Sequence, residues 1–310
     1  MCTGIYRFGE HPLFGRNLDL DMSYGEKPLF VPRGASIPTH HEGQIVPSYA
    51  MLGTGLYLFG RPLYFDAMNE KGLAVAGLNF PGYAKEGKPA DGKVNLTPYE
   101  FIPYLLGRYA SLEEAMPFLE RLNFTDEAVD PSMPIAPLHY LIADLHKAIV
   151  LEAAADGVRL YSNPYGVLTN NPPFPFMEEI LRRYLNVSSA YPANRFGSSL
   201  APTSVGMGSI GLPGDYSSSS RFVKASFLNL NVASSEDEEE ASHRFYGILD
   251  SVAFLPGTAY NENGKSETTV YQAMMDLSRG KYSIRHRQSE APRIISFSDL
   301  DLKGKAIELL

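Results

Sequence analysis

The single cysteine of the 310-residue chain is its second residue, in the opening stretch MCTGIYRFGE. A structural cysteine could lie anywhere in a core, so this position suggests a chemical reason. Removal of the initiator methionine, which is common before a small residue, would leave Cys2 with a thiol and a free α-amine on neighbouring carbons. Because an α-amine has an ordinary pKa of about 8, part of it is neutral near pH 7 and can accept the thiol proton. Cys2 would then be both nucleophile and base.

Acyl transfer by such a thiol also needs groups that hold it. Arg16 and Asp19 in FGRNLD come just after a short apolar stretch that we expect to form a strand pairing with the N-terminal one. Arg16 would favour the thiolate, and Asp19 would accept a hydrogen bond from the α-amine. An ordinary hairpin with a salt bridge would explain the same two residues.

The developing oxyanion needs hydrogen-bond donors. Asn79 ends the apolar stretch GLAVAGLNF, and Asn170 ends GVLTNNP, each followed by a proline turn. Asparagine is common at such turns, so either one alone is weak evidence. Arg221 in SSSSRF begins an apolar, helix-like run and would by itself be a surface arginine.

Other kinds of site find less support. None of the seven histidines lies in a His-Glu-x-x-His arrangement, and no metal site is predicted. A Cys–His pair of the protease type is compatible with the spacing, but it would not explain the terminal position of Cys2. The glycine-rich stretch GMGSIGLPGD lacks the Gly-Lys-Ser/Thr ending of a phosphate-binding loop, so it is interpreted as a turn-rich loop.

Composition narrows the class of protein further. The net charge is −8, from 35 acidic and 27 basic residues, and no dense basic tract indicates a nucleic-acid partner. Arg7, Glu10 and His11 interrupt any signal-peptide pattern, and no run of about twenty apolar residues predicts a membrane span. One cysteine cannot form an intrachain disulfide, so we expect a cytoplasmic protein. No linker divides the chain, which predicts one domain over residues 1–310.

The order of the predicted elements indicates an α+β fold. Five short apolar stretches between Gly, Pro and Asn turns predict antiparallel strands in the first eighty residues: CTGIYRF, LFGRNL, PLFVP, LYLFG and GLAVAGLNF. Helices are predicted after Thr97 and Ser111. Strands return over HYLIADLHKAIVLEAAADGVRLY and GVLTNN, followed by a helix over FMEEILRRYLN. Elements grouped in such blocks are typical of layered α+β domains rather than of parallel βαβ sheets.

The last third of the chain begins irregularly. Residues 187–220 are rich in Ser, Pro, Gly and Asn, and such long loops are usually functional or involved in assembly. A helix is predicted over residues 236–250, with Ser235 and Glu238 as its capping box. ETTVYQAMMDLSRGKYSIRHRQ then predicts two strands joined at Arg279-Gly280, and RIISFSD a last strand.

Five of these stretches, taken in order, resemble the choloylglycine hydrolase family of N-terminal nucleophile hydrolases, which includes bile salt hydrolases and penicillin V acylases. They are MCTG at the start, FGRNLD at 14–19, YFDAMNEKGLAVAGLNFPGYA at 64–84, GVLTNNPPF at 166–174 and GLPGDYSSSSRFV at 211–223. The resemblance implies a four-layer αββα sandwich, a homotetramer with contacts through residues 187–220, and no metal or organic cofactor.

The resemblance also implies roles for single residues. Cys2 matches the nucleophile, with its own amine as base after loss of Met1, and Arg16 and Asp19 match the residues beside the thiol and the amine. Arg221 matches the arginine that supports the nucleophile region.

Two asparagines match the oxyanion site of the family. Asn79 would supply a backbone N–H together with side-chain contacts, and the side chain of Asn170 would supply the second donor. Asn170 is a better match than its neighbour Asn171, where the family varies.

The substrate implied by the resemblance is a bile acid amide of glycine or taurine, because Asn79 stands where some penicillin V acylases have tyrosine. Leu20 departs from the aromatic residue that several members carry there, which bears on pocket width. Leu20, Phe65 and Ile135 lie where an apolar groove for a steroid could form, or they are plain core. Penicillin V, an acyl-homoserine lactone, and a non-catalytic binding module remain as alternatives.

Overall fold

Two β-sheets carry most of the residues discussed above. The computed structural model describes residues 1–155, 157–197, 199–286, 289 and 291–310. Numbered along the chain, the strands are β1 (Cys2–Arg7), β2 (Leu13–Leu20), β3 (Lys27–Val31), β4 (Ile37–Pro38), β5 (Gln44–Ile45), β6 (Met51–Leu58), β7 (Arg61–Asn69), β8 (Ala74–Asn79), β9 (Val94–Leu96), β10 (Leu122–Phe124), β11 (Leu138–Ala143), β12 (Ala148–Ala154), β13 (Gly157–Ser162), β14 (Val167–Leu168), β15 (Thr268–Asp276), β16 (Lys281–His286), β17 (Arg293–Ser296) and β18 (Glu308–Leu309).

The two large sheets pack face to face. One has six strands in the order β14-β1-β2-β15-β16-β17, and the other has eight in the order β13-β12-β11-β8-β7-β6-β3-β18. All neighbours in both sheets are antiparallel. Side chains alternate between the faces of a strand, so Tyr6 of β1 and its opposite residue Phe14 of β2 point to the same face, toward the second sheet. They belong to one buried core with Leu78 and Leu141 of that sheet.

Helices cover the outer faces of both sheets. They are α1 (Pro98–Arg108), α2 (Leu112–Leu119), α3 (Phe174–Leu181), α4 (Ser218–Asn231) and α5 (Glu238–Asp250). α1 packs on β6, β7 and β8 of the eight-stranded sheet, while α4 and α5 pack on β1 and on its neighbours β14 and β2. The expected α+β class and four-layer αββα sandwich are therefore confirmed. In the described ranges, no helix has the length and apolar character needed to cross a membrane.

Several local signals correctly predict where helices begin. α1 follows Thr97, whose backbone N–H donates to the Glu100 carboxylate over 3.0 Å, so the helix starts as the capping pattern predicts. Ser111 caps α2 by accepting from the backbone N–H of Glu114 at 3.2 Å. Strands β15 and β16 join at Gly280, whose φ of 63° suits a glycine in the turn. Two residues of the predicted second strand, 287 and 288, lie outside the described residues.

Two local predictions need correction. Ser235 does not cap α5: the helix begins at Glu238, and the Asp237 carboxylate accepts from the backbone N–H of Glu240 at 2.8 Å. Aspartate is as good a cap as serine, and three glutamates then fill the first turn, where the helix dipole favours them. Strand β7 was not predicted, because the polar Asp66 interrupts its apolar pattern. The carboxylate of Asp66 is buried and accepts a hydrogen bond from the Tyr282 hydroxyl at 2.9 Å.

The segment 187–220 is irregular, as expected. Within its described residues, which exclude 198, it holds a 3₁₀ turn (Met207–Ser209) and the first residues of α4. Phe196 and Val205 are 91% and 85% exposed.

Candidate active site at the start of the chain

The thiol of Cys2 lies between the two sheets. Cys2 is the first residue of β1 and only 3% of it is exposed. The wholly buried Arg16 of β2 donates from Nη2 to Cys2 Sγ over 2.6 Å. Its Nη1 donates to the carbonyl oxygens of Phe65 at 3.0 Å and Gly77 at 2.7 Å. The guanidinium is thus fixed between the sulfur on one sheet and two backbone carbonyls on the other.

Electrostatics keep Arg16 charged despite its burial. Desolvation acts to lower its pKa, but nearby negative groups, led by Cys2 and followed by Tyr271, Asp66 and Asp19, raise the pKa of Arg16 overall. A permanent positive charge therefore faces the sulfur.

Asp19 lies at the end of β2 beside the chain start. Its Oδ1 accepts from the Thr269 hydroxyl at 2.6 Å, and among the described residues its buried Oδ2 has no hydrogen-bond partner. Burial raises the pKa of Asp19, partly offset by Arg221 and by the Thr269 hydrogen bond. The α-amine of Met1 donates to the Asp19 carbonyl oxygen at 2.6 Å and to Glu267 Oε2 at 2.8 Å. The backbone N–H of Asp19 donates in turn to the carbonyl oxygen of Met1 at 3.0 Å, so the first residue pairs with Asp19 and continues the β1–β2 ladder.

Asn170 bridges the chain start and the end of β8. Its Oδ1 accepts from the backbone N–H of Cys2 and from Arg221 Nη2, each at 2.9 Å, and its Nδ2 donates to the carbonyl oxygen of Asn79 at 2.7 Å. Because a carbonyl only accepts, these partners determine which end of the amide is oxygen. Asn170 is buried, while Asn79 is exposed on the wall of a cavity.

Gly166 permits the close approach of β14 to β1 that places Asn170 beside Cys2. Gly166, just before β14, has a φ of 66°, and a Cβ there would lie 1.9 Å from the carbonyl oxygen of Tyr6 on β1. Glycine alone avoids this clash, so β14 can pair with β1 and bring Asn170 to Cys2.

Arg221, in the first turn of α4, binds strand β1 from the side that faces the helices. Its Nη1 donates to the carbonyl oxygen of Cys2 at 2.5 Å and to Thr3 Oγ1 at 2.6 Å, and its guanidinium lies 5.1 Å from the centre of the Phe254 ring. Burial lowers the pKa of Arg221, opposed by Asp19 and Cys2. Far from being a surface residue, it is 1% exposed.

A largely apolar cavity of about 310 Å³ opens at the thiol. All three residues predicted for a groove line it, and so do Cys2 and Asn79. The lining consists of Cys2, Arg16, Leu18, Leu20, Tyr24, Leu56, Leu63, Tyr64, Phe65, Gly77, Asn79, Pro98, Tyr99, Ala128, Val129, Met133, Pro134, Ile135, Ala136 and Leu138. The structure thus brings together all nine predicted site residues, six around the thiol and three along the cavity.

One placement differs from the sequence prediction. Arg16 and Asp19 lie within β2 and not after it, because the strand continues to Leu20 and pairs with both β1 and β15. The side chain of Arg16 is accommodated by Cys2 and two backbone carbonyls, and that of Asp19 by the Thr269 hydroxyl.

Sequence reasoning missed the residues that hold the predicted ones. Thr3 and Thr269 bind Arg221 and Asp19, and the Ser218 hydroxyl accepts from the backbone N–H of Asn170 at 2.8 Å. Threonine in a strand and serine at a helix start are ordinary in those positions, so no local signal distinguishes them. In the described part of the chain, no three His, Cys, Asp or Glu residues are grouped so that they could hold a metal ion.

A double-layered β-sandwich covered by helices, with a buried thiol on the second residue, is the arrangement of an N-terminal nucleophile hydrolase. The family model of linear amide C–N hydrolases, choloylglycine hydrolase family, matches residues 2–308, and the chain belongs to this family.

Individual relatives agree with this assignment. The chain is 41% identical over 287 residues to the bile salt hydrolase/transferase of Lactiplantibacillus plantarum, covering 92% of this chain and 89% of the relative. The structure of the C2A variant of conjugated bile acid hydrolase from Clostridium perfringens superposes with a TM-score of 0.92 at 31% identity, over 100% of this chain and 96% of that one. Penicillin V acylase from Agrobacterium tumefaciens shares the fold, with a TM-score of 0.79 at 22% identity over 99% and 90% of the two chains.

Proposed function

We propose that this enzyme hydrolyses the amide bond between a bile acid and glycine or taurine, with Cys2 as nucleophile after removal of Met1. The observation that carries the proposal is the thiol of Cys2 at the wall of a largely apolar cavity of about 310 Å³. An apolar cavity with a few polar groups at one place suits a steroid whose reactive amide lies at its polar end. Relatives at 32–41% identity that are named for bile salts or conjugated bile acids support the same substrate class.

The proposed reaction begins with proton transfer inside one residue. The neutral α-amine of Cys2 accepts the thiol proton, and Arg16 at 2.6 Å from the sulfur stabilises the thiolate. Oδ2 of Asp19, which has no hydrogen-bond partner among the described residues, can accept a hydrogen bond from the ammonium group that forms. With Met1 attached, Cys2 has a peptide nitrogen in place of the amine and no base.

Attack of the sulfur on the amide carbonyl then gives a tetrahedral oxyanion. The backbone N–H of Asn79 and the second hydrogen of Asn170 Nδ2 are the donors we assign to it, and loss of one such donor costs about a hundredfold or more in rate. The amine returns its proton to the leaving nitrogen as the thioester forms. Water, deprotonated by the same amine, attacks the thioester, and release of the bile acid restores the thiol.

The test is direct. The purified protein and a Cys2→Ala control are incubated with glycine-conjugated bile salts, taurine-conjugated bile salts and penicillin V, and the amine released from each is quantified. Faster release from bile salts, absent from the control, would support both nucleophile and substrate class. Faster release from penicillin V would retain the mechanism and replace the substrate. No release from a chain whose mass shows Cys2 at its start would favour another amide or a non-catalytic module.

We also propose that residues 1–310 form one cytoplasmic domain that assembles as a homotetramer through segment 187–220. The exposed Phe196 and Val205 of this segment support the proposal, because apolar side chains this exposed favour burial in an interface. Light scattering of the protein and of a Phe196→Ser, Val205→Ser double variant tests it: a tetramer that the double variant breaks into smaller species supports it, and a monomer in both overturns it.

A further inference from the structure

A buried histidine connects the neighbours of the two asparagines. His139 of β11 is 0% exposed, and its Nε2 lies 2.9 Å from the carbonyl oxygen of Thr169, the residue before Asn170. Because that oxygen only accepts, Nε2 carries the hydrogen and donates it. The imidazole also stacks on the ring of Phe80, the residue after Asn79, with ring centres 4.2 Å apart and an angle of 8° between the ring planes.

The other nitrogen of the same ring has no hydrogen-bond partner among the described residues. Nδ1 of His139 lies 3.6 Å from Oε1 of Glu152, its opposite residue on β12, which is too far for a hydrogen bond. That Oε1 accepts instead from the backbone N–H of Phe174 at 2.8 Å, at the start of α3. His139 and Glu152 therefore contact the two ends of segment 169–174, which has Asn170 within it.

Two direct contacts join this segment to the end of β8. Asn170 Nδ2 donates to the carbonyl oxygen of Asn79 at 2.7 Å, and Asn171 Nδ2 donates to that of Pro81 at 2.9 Å. His139 contributes the third connection, from the core side. It does not line the cavity at Cys2, so it can act on the reaction only through these segments.

We infer that His139 is a positioning residue for the oxyanion site: it holds segments 79–81 and 169–174 at a fixed separation. The inference rests on the proposed function, which gives Asn79 and Asn170 their roles. A wholly buried imidazole with one unpaired nitrogen costs stability. Phenylalanine would stack on Phe80 without that cost. What phenylalanine could not supply is the hydrogen bond to Thr169, which is the contact next to Asn170.

The experiment compares three variants of the full-length processed enzyme. His139→Phe keeps the ring and removes the donor, whereas His139→Gln places an amide donor at about the position of Nε2. Tyr140→Phe is the matched control, because the adjacent residue on β11 is also buried and also donates to a backbone carbonyl, that of Pro98 at 3.0 Å, on the other face of the sheet. For each, kcat and KM for a glycine-conjugated bile salt, iodoacetamide alkylation of Cys2, and amide hydrogen exchange are measured.

We expect His139→Phe to lower kcat by about tenfold to a hundredfold, with a change in KM of less than about threefold, because misplaced donors act on the transition state. Alkylation of Cys2 should be unchanged, and exchange should become faster in residues 79–84 and 169–174. His139→Gln should recover most of both effects, and Tyr140→Phe should show neither.

The other outcomes distinguish failure of this inference from failure of the proposed function. A kcat of His139→Phe equal to that of Tyr140→Phe would overturn the inference, and so would a lower kcat without faster exchange in the two segments. A wild-type protein that releases no amine would overturn the proposed function alone. The exchange data would then decide the inference by themselves: unchanged exchange in His139→Phe rejects it, and localised exchange restored by His139→Gln supports it.

Discussion

Arg16 and the thiol of Cys2 are in direct contact, with Nη2 donating to Sγ over 2.6 Å between two buried residues at the wall of the cavity. A second buried cation, Arg221, holds the backbone of the same residue, and two buried carboxylates, Asp19 and Asp66, lie near them. In their ionised forms these four charges sum to zero. Transfer of the thiol proton to the α-amine then creates a thiolate and an ammonium together, so the reaction starts without adding net charge to the buried site.

Replacement of Arg16 tests this contact. We expect Arg16→Gln to slow iodoacetamide alkylation of Cys2 at pH 7 by about tenfold or more, because the reacting sulfur loses the cation that donates to it over 2.6 Å. Arg7→Gln is the matched control: Arg7 lies on β1, but it binds backbone carbonyls at 229, 232 and 233, away from the sulfur. Equal alkylation rates in the two variants would exclude an electrostatic role for Arg16.

The state of the N-terminus should switch the activity on or off. We expect insertion of lysine between Met1 and Cys2, which prevents methionine removal, to abolish amide hydrolysis, because the nitrogen of Cys2 is then a peptide nitrogen and cannot accept a proton. The thiol should still react with iodoacetamide. Intact mass identifies the N-terminus, and amine release reports activity. Hydrolysis by a chain whose mass shows that Met1 and the inserted lysine still precede Cys2 would contradict the mechanism.

The sequence predicted elements better than it predicted the contacts between them. Apolar periodicity and capping residues predict most strands and helices because those signals are local, as Thr97 and Ser111 show. β7 escaped prediction because Asp66 is compensated by Tyr271 and Tyr282, some two hundred residues further on. Pairing between distant segments leaves no trace in local composition.

The site divides in the same way. Of its six central residues, Cys2 was singled out by its position at the chain start. For the other five each local signal also had an ordinary structural explanation, and only the resemblance joined them in one site, since spacing along the chain says nothing of their convergence in space. His139 shows the limit: a lone histidine in an apolar strand is usually a satisfied core residue, and its contact with Thr169 exists only in the folded sandwich.

The two adjacent asparagines should differ in effect. The side chain of Asn170 is hydrogen-bonded to Cys2, Arg221 and Asn79, whereas among the described residues the side chain of Asn171 is hydrogen-bonded to the carbonyl oxygen of Pro81 alone. We expect Asn170→Ala to lower kcat by about a hundredfold or more, since it removes an oxyanion donor and the partner of the Cys2 nitrogen. Asn171→Ala should cost at least about tenfold less. Steady-state kinetics on a glycine-conjugated bile salt decide this, and equal losses would refute the assignment.

Asp66 should give stability a pH dependence. Burial raises the pKa of Asp66 above its ordinary value, against the opposing effects of Arg16 and the two tyrosine hydroxyls. Between the unfolded pKa of about 4 and the raised folded pKa, the native state binds more protons than the unfolded state, so this group's contribution to stability falls as pH rises. The unfolding free energy of the wild type minus that of Asp66→Asn should therefore decrease from about pH 4 upward. Denaturant titrations at several pH values measure it, and a difference that rises over this window would contradict the sign.

Cavity width should set the preference between a steroid amide and a smaller acyl group. Leu20 lines the cavity near Phe65, and Leu20→Trp adds a large side chain to a space of about 310 Å³. We expect KM for glycine-conjugated bile salts to rise by about tenfold, because a few lost apolar contacts or a steric overlap cost on the order of 1–3 kcal/mol. The rate of penicillin V cleavage relative to bile salt cleavage should increase. Leu230→Trp, on a side chain that is 57% exposed on α4 and remote from the cavity lining, is the matched control. If both tryptophan variants keep the wild-type KM for bile salts, Leu20 does not face the bound steroid and the cavity is not its binding site.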